Sequence, residues 1–336
     1  MRNETRIAYN TLVKRLGELN GVEDASKKFN VTPSVQQKLE TKIQESSEFL
    51  KKINITPVTE MQGEKLNLGI SGPVAGRTNT KLAERQTRDL TGLDANGYKC
   101  TKTDFDTHIG YGTLDMWAKF PDFQTRVRDT VVQRQALDRM MIGFHGVSIA
   151  ETTDINAHPM LEDVNKGWLQ HMREDAPERV LNHVSTPGKV KIGTAAGCDY
   201  ANLDAAVYDA ITLLDPWFRE DAGLVCIVGR ELLHDKYFPL VNTKQAPTET
   251  LAADIVISQK RIGGLTAVSV PYFPAKSFLI TRLDNLSIYY QESGRRRQVV
   301  DNAKRDRIEN YESSNDAYVV ERYGMAALVE NIELVA

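Results

Sequence analysis

Apolar residues in the opening stretch fall at Ile7, Leu12, Leu16 and Leu19 with charged residues between them. That spacing predicts a short amphipathic helix, which Asn20-Gly21 would stop. Residues 22–33 are polar and carry Lys27-Lys28, a composition suited to an exposed connection that a protease can reach, so the helix before it reads as detachable. A second helical stripe, Val35, Leu39, Ile43, Phe49 and Leu50, ends on the approach to Pro57. The period then switches to two. Leu66, Leu68 and Ile70 alternate with Lys65, Asn67 and Gly69, and Phe105, Thr107, Ile109 and Tyr111 alternate in the same way further on, each the pattern of a half-buried strand.

Between those two strand patterns, residues 71–97 are rich in Gly, Thr and Arg and offer almost nothing apolar for a core of their own. A stretch of that length is too long for an ordinary turn, and nothing local offsets its conformational entropy. It is read as a long hairpin arm that a neighbouring subunit orders, with Glu84, Arg85, Arg88 and Asp89 as the charges that set register across the contact.

The strongest helical signal covers 121–144. Phe123, Val127, Val131, Leu137 and Met141 lie close to one face, and Arg126, Asp129, Gln133 and Arg139 are placed on the opposite one. Such a helix is about 35 Å long and would serve as a strut. A further helix is expected over 161–181, on Leu161, Val164, Trp168 and Met172, with a boundary at Pro187-Gly188. Leu203, Val207, Ile211 and Leu214 form another stripe, 224–228 reads as a buried strand and 231–238 as a short helix. Beyond Leu265 the pattern is mostly strand (267–270, 278–281, 287–290, 318–322 and 326–334), with turns at Gly294 and at Ser313-Ser314. The chain is therefore of mixed α+β class.

Length and composition narrow the function. At 336 residues the chain has room for one large domain or two. Its net charge of -3 is spread without a strongly basic half, which excludes a broad electrostatic footprint for nucleic acid. Cys100, Cys198 and Cys226 are far apart and form no Cys-x-x-Cys pair, which argues against a disulfide framework or a structural zinc and fits a reducing cytoplasm. The first twenty residues are interrupted by charges, so they do not read as a signal peptide, and no apolar run approaches the roughly twenty residues of a membrane-spanning helix.

Candidate chemistry is sparse. Gly69, Gly72 and Gly76 precede no amphipathic helix and are read as hairpin glycines, not as a phosphate loop. None of the histidines has a His partner at the spacing of a hydrolytic zinc site. Gly146-Val147-Ser148-Ile149-Ala150 lacks the closing glycine of a nucleophile elbow and follows a helix, where that motif follows a strand. Arg295-Arg296-Arg297 is the one dense basic cluster, and with no aromatic residues interleaved it reads as a solvated hairpin tip or a protein contact. No catalytic, cofactor-binding or metal-binding residue is assigned.

Several strings stand out along the chain. They include Met1-Arg2 with Glu4-Thr5-Arg6, Glu18-Leu19-Asn20-Gly21, Lys27-Lys28-Phe29, Gln44-Glu45-Ser46-Ser47 and Gly167-Trp168-Leu169-Gln170. Longer ones follow: Asp235-Lys236-Tyr237-Phe238-Pro239, Ile257-Ser258-Gln259-Lys260-Arg261-Ile262-Gly263, Pro271-Tyr272-Phe273-Pro274, Leu286-Ser287-Ile288-Tyr289-Tyr290 and Glu309-Asn310-Tyr311-Glu312-Ser313.

Taken together these strings resemble one family, the major capsid proteins of peduovirus-type temperate phages with contractile tails, and the resemblance implies the Hong Kong 97-type capsid fold. It would divide the chain into an N-terminal helix and propeptide (1–29), an N-arm (30–60), an extended loop hairpin (61–104), a peripheral domain (105–185 and 284–336) with its spine helix over 121–144, and an axial domain (186–283). It implies maturation cleavage between Phe29 and Asn30, and a role in the icosahedral shell around double-stranded phage DNA, assembled in the bacterial host cytoplasm. The implied partners are further copies of the chain in hexamers and pentamers, a scaffolding protein with a maturation protease, a portal, and packaged DNA bound without sequence specificity; no membrane is implied. The alternatives carried beside this reading are an encapsulin-like compartment shell and, third, an α/β enzyme using the lobe over 186–283.

Overall fold

The computed structural model describes residues 1–68, 75–87, 91–117, 120, 123–242 and 260–335. Two sheets organise it. In the first, the 14-residue strand Arg307–Val320 is the axis. It pairs antiparallel with Arg296–Asn302 along its first half and with Leu286–Gln291 along its end, while Thr101–Asp104 and Thr107–Gly110 also pair on it. Phe29–Asn30 closes the outer side of Arg296–Asn302, and Asn54–Val58 runs parallel to Leu286–Gln291 at the other margin. Pro57 is tolerated there because a marginal strand leaves one side of its backbone unpaired.

The second sheet has the order Arg261–Ile262, Leu265–Val268, Val225–Val228, Phe278–Thr281, Ala327–Val329, Val180–Leu181. Val225–Val228 is apolar throughout, as expected of a strand covered on both faces. The C-terminal strands pair with strands from the middle of the chain: Ala327–Val329 with Phe278–Thr281, and Ile332–Val335 with Val190–Gly193. Met325, Ala327, Val329 and Ile332 accordingly share a core with Val190, Leu203, Val207, Cys226 and Ile280.

The other large core joins the helices Pro33–Glu45, Phe123–His145 and Trp168–Asp175 to the first sheet. Trp168 is its centre. The ring is fully buried, its indole N–H donates to the Ser287 carbonyl at 2.9 Å, and Phe49, Phe144 and Tyr318 pack edgewise or tilted around it. Gly143 makes room for it, since a Cβ at that position would lie 2.2 Å from the indole ring.

Local signals explain most element ends. Gly21 adopts φ 67° and closes the helix Asn3–Asn20, and Asn202 caps Leu203–Ile211 by accepting a hydrogen bond from the Ala205 N–H at 2.9 Å. Several expectations change, the single strand expected over 326–334 among them, since Ala327–Val329 and Ile332–Val335 are separate. The helix expected over 161–181 is confined to Trp168–Asp175, because Leu161 takes a left-handed conformation (φ 59°) and the preceding loop is tied down by hydrogen bonds to Glu162 and Asp163. Tyr111 begins a short helix, Tyr111–Trp117, instead of ending a strand. Ser313-Ser314 is no turn: both residues are buried within Arg307–Val320.

The long helix runs over Phe123–His145, but its buried face is turned from the expected one. Val132, Gln135, Ala136, Arg139 and Met140 are buried, while Val127 and Val131 are only half-buried. Arg139, placed by pattern on the outer face, is fully inside.

Candidate assembly sites

The reason for that inversion is a buried cluster of five charges. Arg139 meets Asp316 through two hydrogen bonds, Nε to Oδ2 at 3.0 Å and Nη2 to Oδ1 at 3.2 Å, and reaches both oxygens of Glu40. Arg295 donates to Glu40 at 2.7 Å, to Glu312 at 2.9 Å and to the Gln135 side-chain oxygen at 2.7 Å. Gln135 donates in turn to Glu312, and the Ser314 hydroxyl donates to Asp316. All of these side chains are buried. The cluster therefore welds the arm helix (Glu40), the long helix (Gln135, Arg139) and the first sheet (Arg295, Glu312, Asp316) into one unit.

Burial alone would push the Glu40 and Glu312 carboxyls up; Arg139 and Arg295 around Glu40, and Arg295 with Arg297 around Glu312, outweigh it and hold both below the ordinary carboxylate value. The arginine triplet is thus divided. Arg295 is interior, Arg297 bonds Asn310 at 2.9 Å, and Arg296 alone is exposed.

At the N-terminus, residues 1–31 lie as a strap over Arg296–Asn302. Phe29 pairs with Arg297 and Asn30 with Arg296 in antiparallel register. The Val299 N–H donates to the Ala25 carbonyl, the Gln298 side chain to the Ser26 carbonyl, and the Val31 N–H to the Arg295 carbonyl. Phe29 is buried in a small separate cluster with Ala25 and Val31, against Val13, Leu16, Val22 and Val35. The helix Asn3–Asn20 is pinned at its start: Thr5 donates to Asp115 at 2.6 Å, and Arg6 pairs with Asp301. Tyr111 also donates to Asp301, which, with burial, pushes its phenol up to about 12. The expected cleavage position is therefore a paired strand with its first side chain covered, not an open linker; only Asn30 is exposed.

The hairpin arm is present as the antiparallel pair Gln62–Leu68 and Thr91–Lys99. Its base is closed by the Cys100 N–H donating to the Met61 carbonyl at 2.8 Å, and by Tyr98 packing edgewise on Tyr289 at 5.1 Å. Residues 75–87 are exposed, including Glu84 and Arg85, and Leu82 presents 85% of its surface. Arg88 and Asp89 lie outside the described residues. Charges at helical core positions, such as Glu40 beside Leu39 and Arg139 four residues from Gln135, were the signal for the buried cluster, but the partners that complete it are 99 and 177 positions away along the chain.

Among the described residues no cluster of three or more His, Cys, Asp or Glu could hold a metal ion. A cleft of about 360 Å³ between residues 46–52, the long helix and residues 268–271 is lined by Phe49, Ala136, Met140 and Val270 together with Glu48, Lys52 and Gln133. No helix among the described residues is long and apolar enough to cross a membrane.

Comparison with known proteins decides what such an assembly of struts and arms is. The model of the family "Phage major capsid protein, P2 family" matches residues 8–332. The chain belongs to that family. Within it, this capsid protein is 52% identical over 344 positions to the "Capsid proteins" chain of Escherichia phage P2, covering 99% of this chain and 96% of that one. It is 38% identical to the "Major capsid protein" of Serratia phage KSP20, again over 99% of this chain and 97% of the other. Among solved structures, a chain of the satellite phage P4 procapsid, which includes the size determination (Sid) protein, superposes with a TM-score of 0.83 at 49% identity over 100% of this capsid protein and 99% of that chain. A capsid chain of an empty GTA particle, 13% identical with a TM-score of 0.51 over 86% of this chain and 90% of that one, shares the fold. The capsid protein thus has the Hong Kong 97-type fold and builds a phage shell; the compartment-shell alternative gives way to the family, which is one of structural proteins.

Proposed function

We propose that this capsid protein closes an icosahedral shell of hexamers and pentamers of itself around double-stranded phage DNA, held without sequence specificity, in the cytoplasm of the bacterial host. A scaffolding protein with a maturation protease, and a portal, are its partners, and the helix Asn3–Asn20 is the scaffold contact. It works as a structural subunit and not as an enzyme. In this reading residues 1–29 are a propeptide removed between Phe29 and Asn30, 30–60 the N-arm, 61–104 the inter-subunit arm, 105–185 and 284–336 the peripheral domain, and 186–283 the axial domain, onto which the C-terminal strands pack.

The observation that carries this reading is the arm. Its described outer part, residues 75–87, buries almost nothing within its own chain, and an exposed leucine there gains from cover by a second copy. Glu84 and Arg85, with Arg88 and Asp89, set register across that cover. The test is co-expression with the scaffolding protein, followed by negative-stain electron microscopy of the full chain and of a deletion of residues 77–87. Closed uniform shells from the full chain and none from the deletion are expected; normal shells from the deletion would remove the arm from the account.

A further inference from the structure

The arm does not leave the body as a regular hairpin. Glu64 pairs with Gly97 but Leu66 with Leu93, so the return strand gains extra residues opposite Lys65, and the ladder bends there. Below the bend the two backbones come close: a Cβ on Gly97 would lie 2.7 Å from the Gly63 carbonyl oxygen, so the approach requires glycine. At the bend itself the Lys65 side chain turns inward. It is 7% exposed, its ammonium donates to the Val320 carbonyl at 2.7 Å, and it lies 5.0 Å from the centre of the Tyr323 ring.

A lysine in an exposed strand normally keeps its ammonium in water. Here the charge is desolvated against the last carbonyl of the 14-residue strand Arg307–Val320 and the face of an aromatic ring, where attraction between cation and ring is strengthened by the loss of water. The Tyr98–Tyr289 contact and the Met61–Cys100 hydrogen bond fix the arm's root, and Lys65 fixes its direction further out. Two points of attachment determine a line. Residues 65–79 can reach at most roughly 50 Å when extended, so a tilt of a few degrees at the bend moves the tip by several ångström.

We propose that Lys65 is the positioning residue that sets the angle at which the arm leaves the body and, through it, the curvature and size of the closed shell. This rests on the reading that the arm contacts a neighbouring copy.

The experiment compares Lys65→Met, which keeps the stem and removes the ammonium, with Lys65→Arg, which keeps a donor and the charge, and with the deletion of residues 77–87. Each full chain is co-expressed with the scaffolding protein, and particle diameters are measured by electron microscopy beside the urea unfolding of the soluble subunit. Lys65→Met is expected to reduce uniform closed particles by about fivefold or more in favour of open or mis-sized shells, since a contact group misplaced by an ångström loses most of its function, and Lys65→Arg to restore wild-type diameters. Wild-type shells from Lys65→Met, with the deletion unable to close, would overturn the role of Lys65 and leave the arm reading intact. Normal shells from the deletion would overturn both. If Lys65→Met proves insoluble, Lys65→Gln, which is too short to keep the ammonium's two contacts, takes its place and is read by the same criteria.

Discussion

Arg139 and Asp316 form a two-pronged ion pair in the interior, with both side chains essentially without exposure. They belong to the long helix and the axial strand of the first sheet, and Glu40 of the arm helix bridges Arg139 to Arg295. The charges are mutually dependent: two guanidiniums are shared among three carboxylates, so removing one group strands the others in a dry interior.

Arg139→Met is therefore expected to cost about 3–5 kcal/mol of folding stability, the loss typical when one partner of a buried ion pair is removed. Urea unfolding of the soluble subunit measures it. The double variant Arg139→Met with Asp316→Leu should recover part of the loss, because it removes the stranded carboxylate as well; a double variant no more stable than Arg139→Met alone would contradict this.

Glu40 and Glu312 are held below the ordinary carboxylate value of 4.5 by their arginines against the opposing effect of burial. In the unfolded chain each takes up a proton near 4.5, in the folded chain only at lower pH, so folding stability falls as the pH drops below about 4.5 and is fully present above it. Equilibrium unfolding between pH 3 and pH 7 should show that loss, and Glu40→Gln should flatten the acid limb while lowering stability at neutral pH.

The peptide bond after Phe29 should resist chymotrypsin in the native subunit, because Phe29 is covered and its strand is paired. Cutting then needs local opening of the strap. Asp301→Ala, which removes the acceptor of both Arg6 and Tyr111, should speed cutting at Phe29 by about threefold to tenfold, equivalent to roughly 1 kcal/mol of local stability. Mass spectrometry of timed digests reads the rate; a native chain cut there as fast as the urea-unfolded chain would contradict the description of the strap.

In the long helix, Val132→Asp should unfold the protein, whereas Val127→Asp should be far milder, since Val132 is 8% exposed and Val127 is half-buried. Gly143→Ala should cost about 1–3 kcal/mol by forcing the fully buried Trp168 from its place. Thermal unfolding distinguishes the three.

What the sequence disclosed follows from how local each determinant is. The helices Asn3–Asn20, Phe123–His145 and Leu203–Ile211 were legible from apolar spacing and stop signals, and the strand beginning at Gln62 from its alternation. The face of the long helix was not, because an arginine in isolation reads as solvated, and only Glu40 and Asp316, brought in by tertiary pairing, make an interior position tolerable for Arg139. Ser313-Ser314 read as a turn for the same reason: small polar residues are buried in the axial strand beside the charge cluster, where the Ser314 hydroxyl serves Asp316. The N-terminal connection looked open because its polar residues do face out, while Ala25, Phe29 and Val31 gain their cover from the helix before them.

The most direct test of the account is a reconstruction of the assembled shell at side-chain resolution, tracing residues 75–87 outward from Lys65. Density for those residues is expected across the body of an adjacent copy, with the Lys65 ammonium still against Val320 of its own chain. Residues 75–87 folded back on their own subunit, with no density over the neighbour, would contradict it.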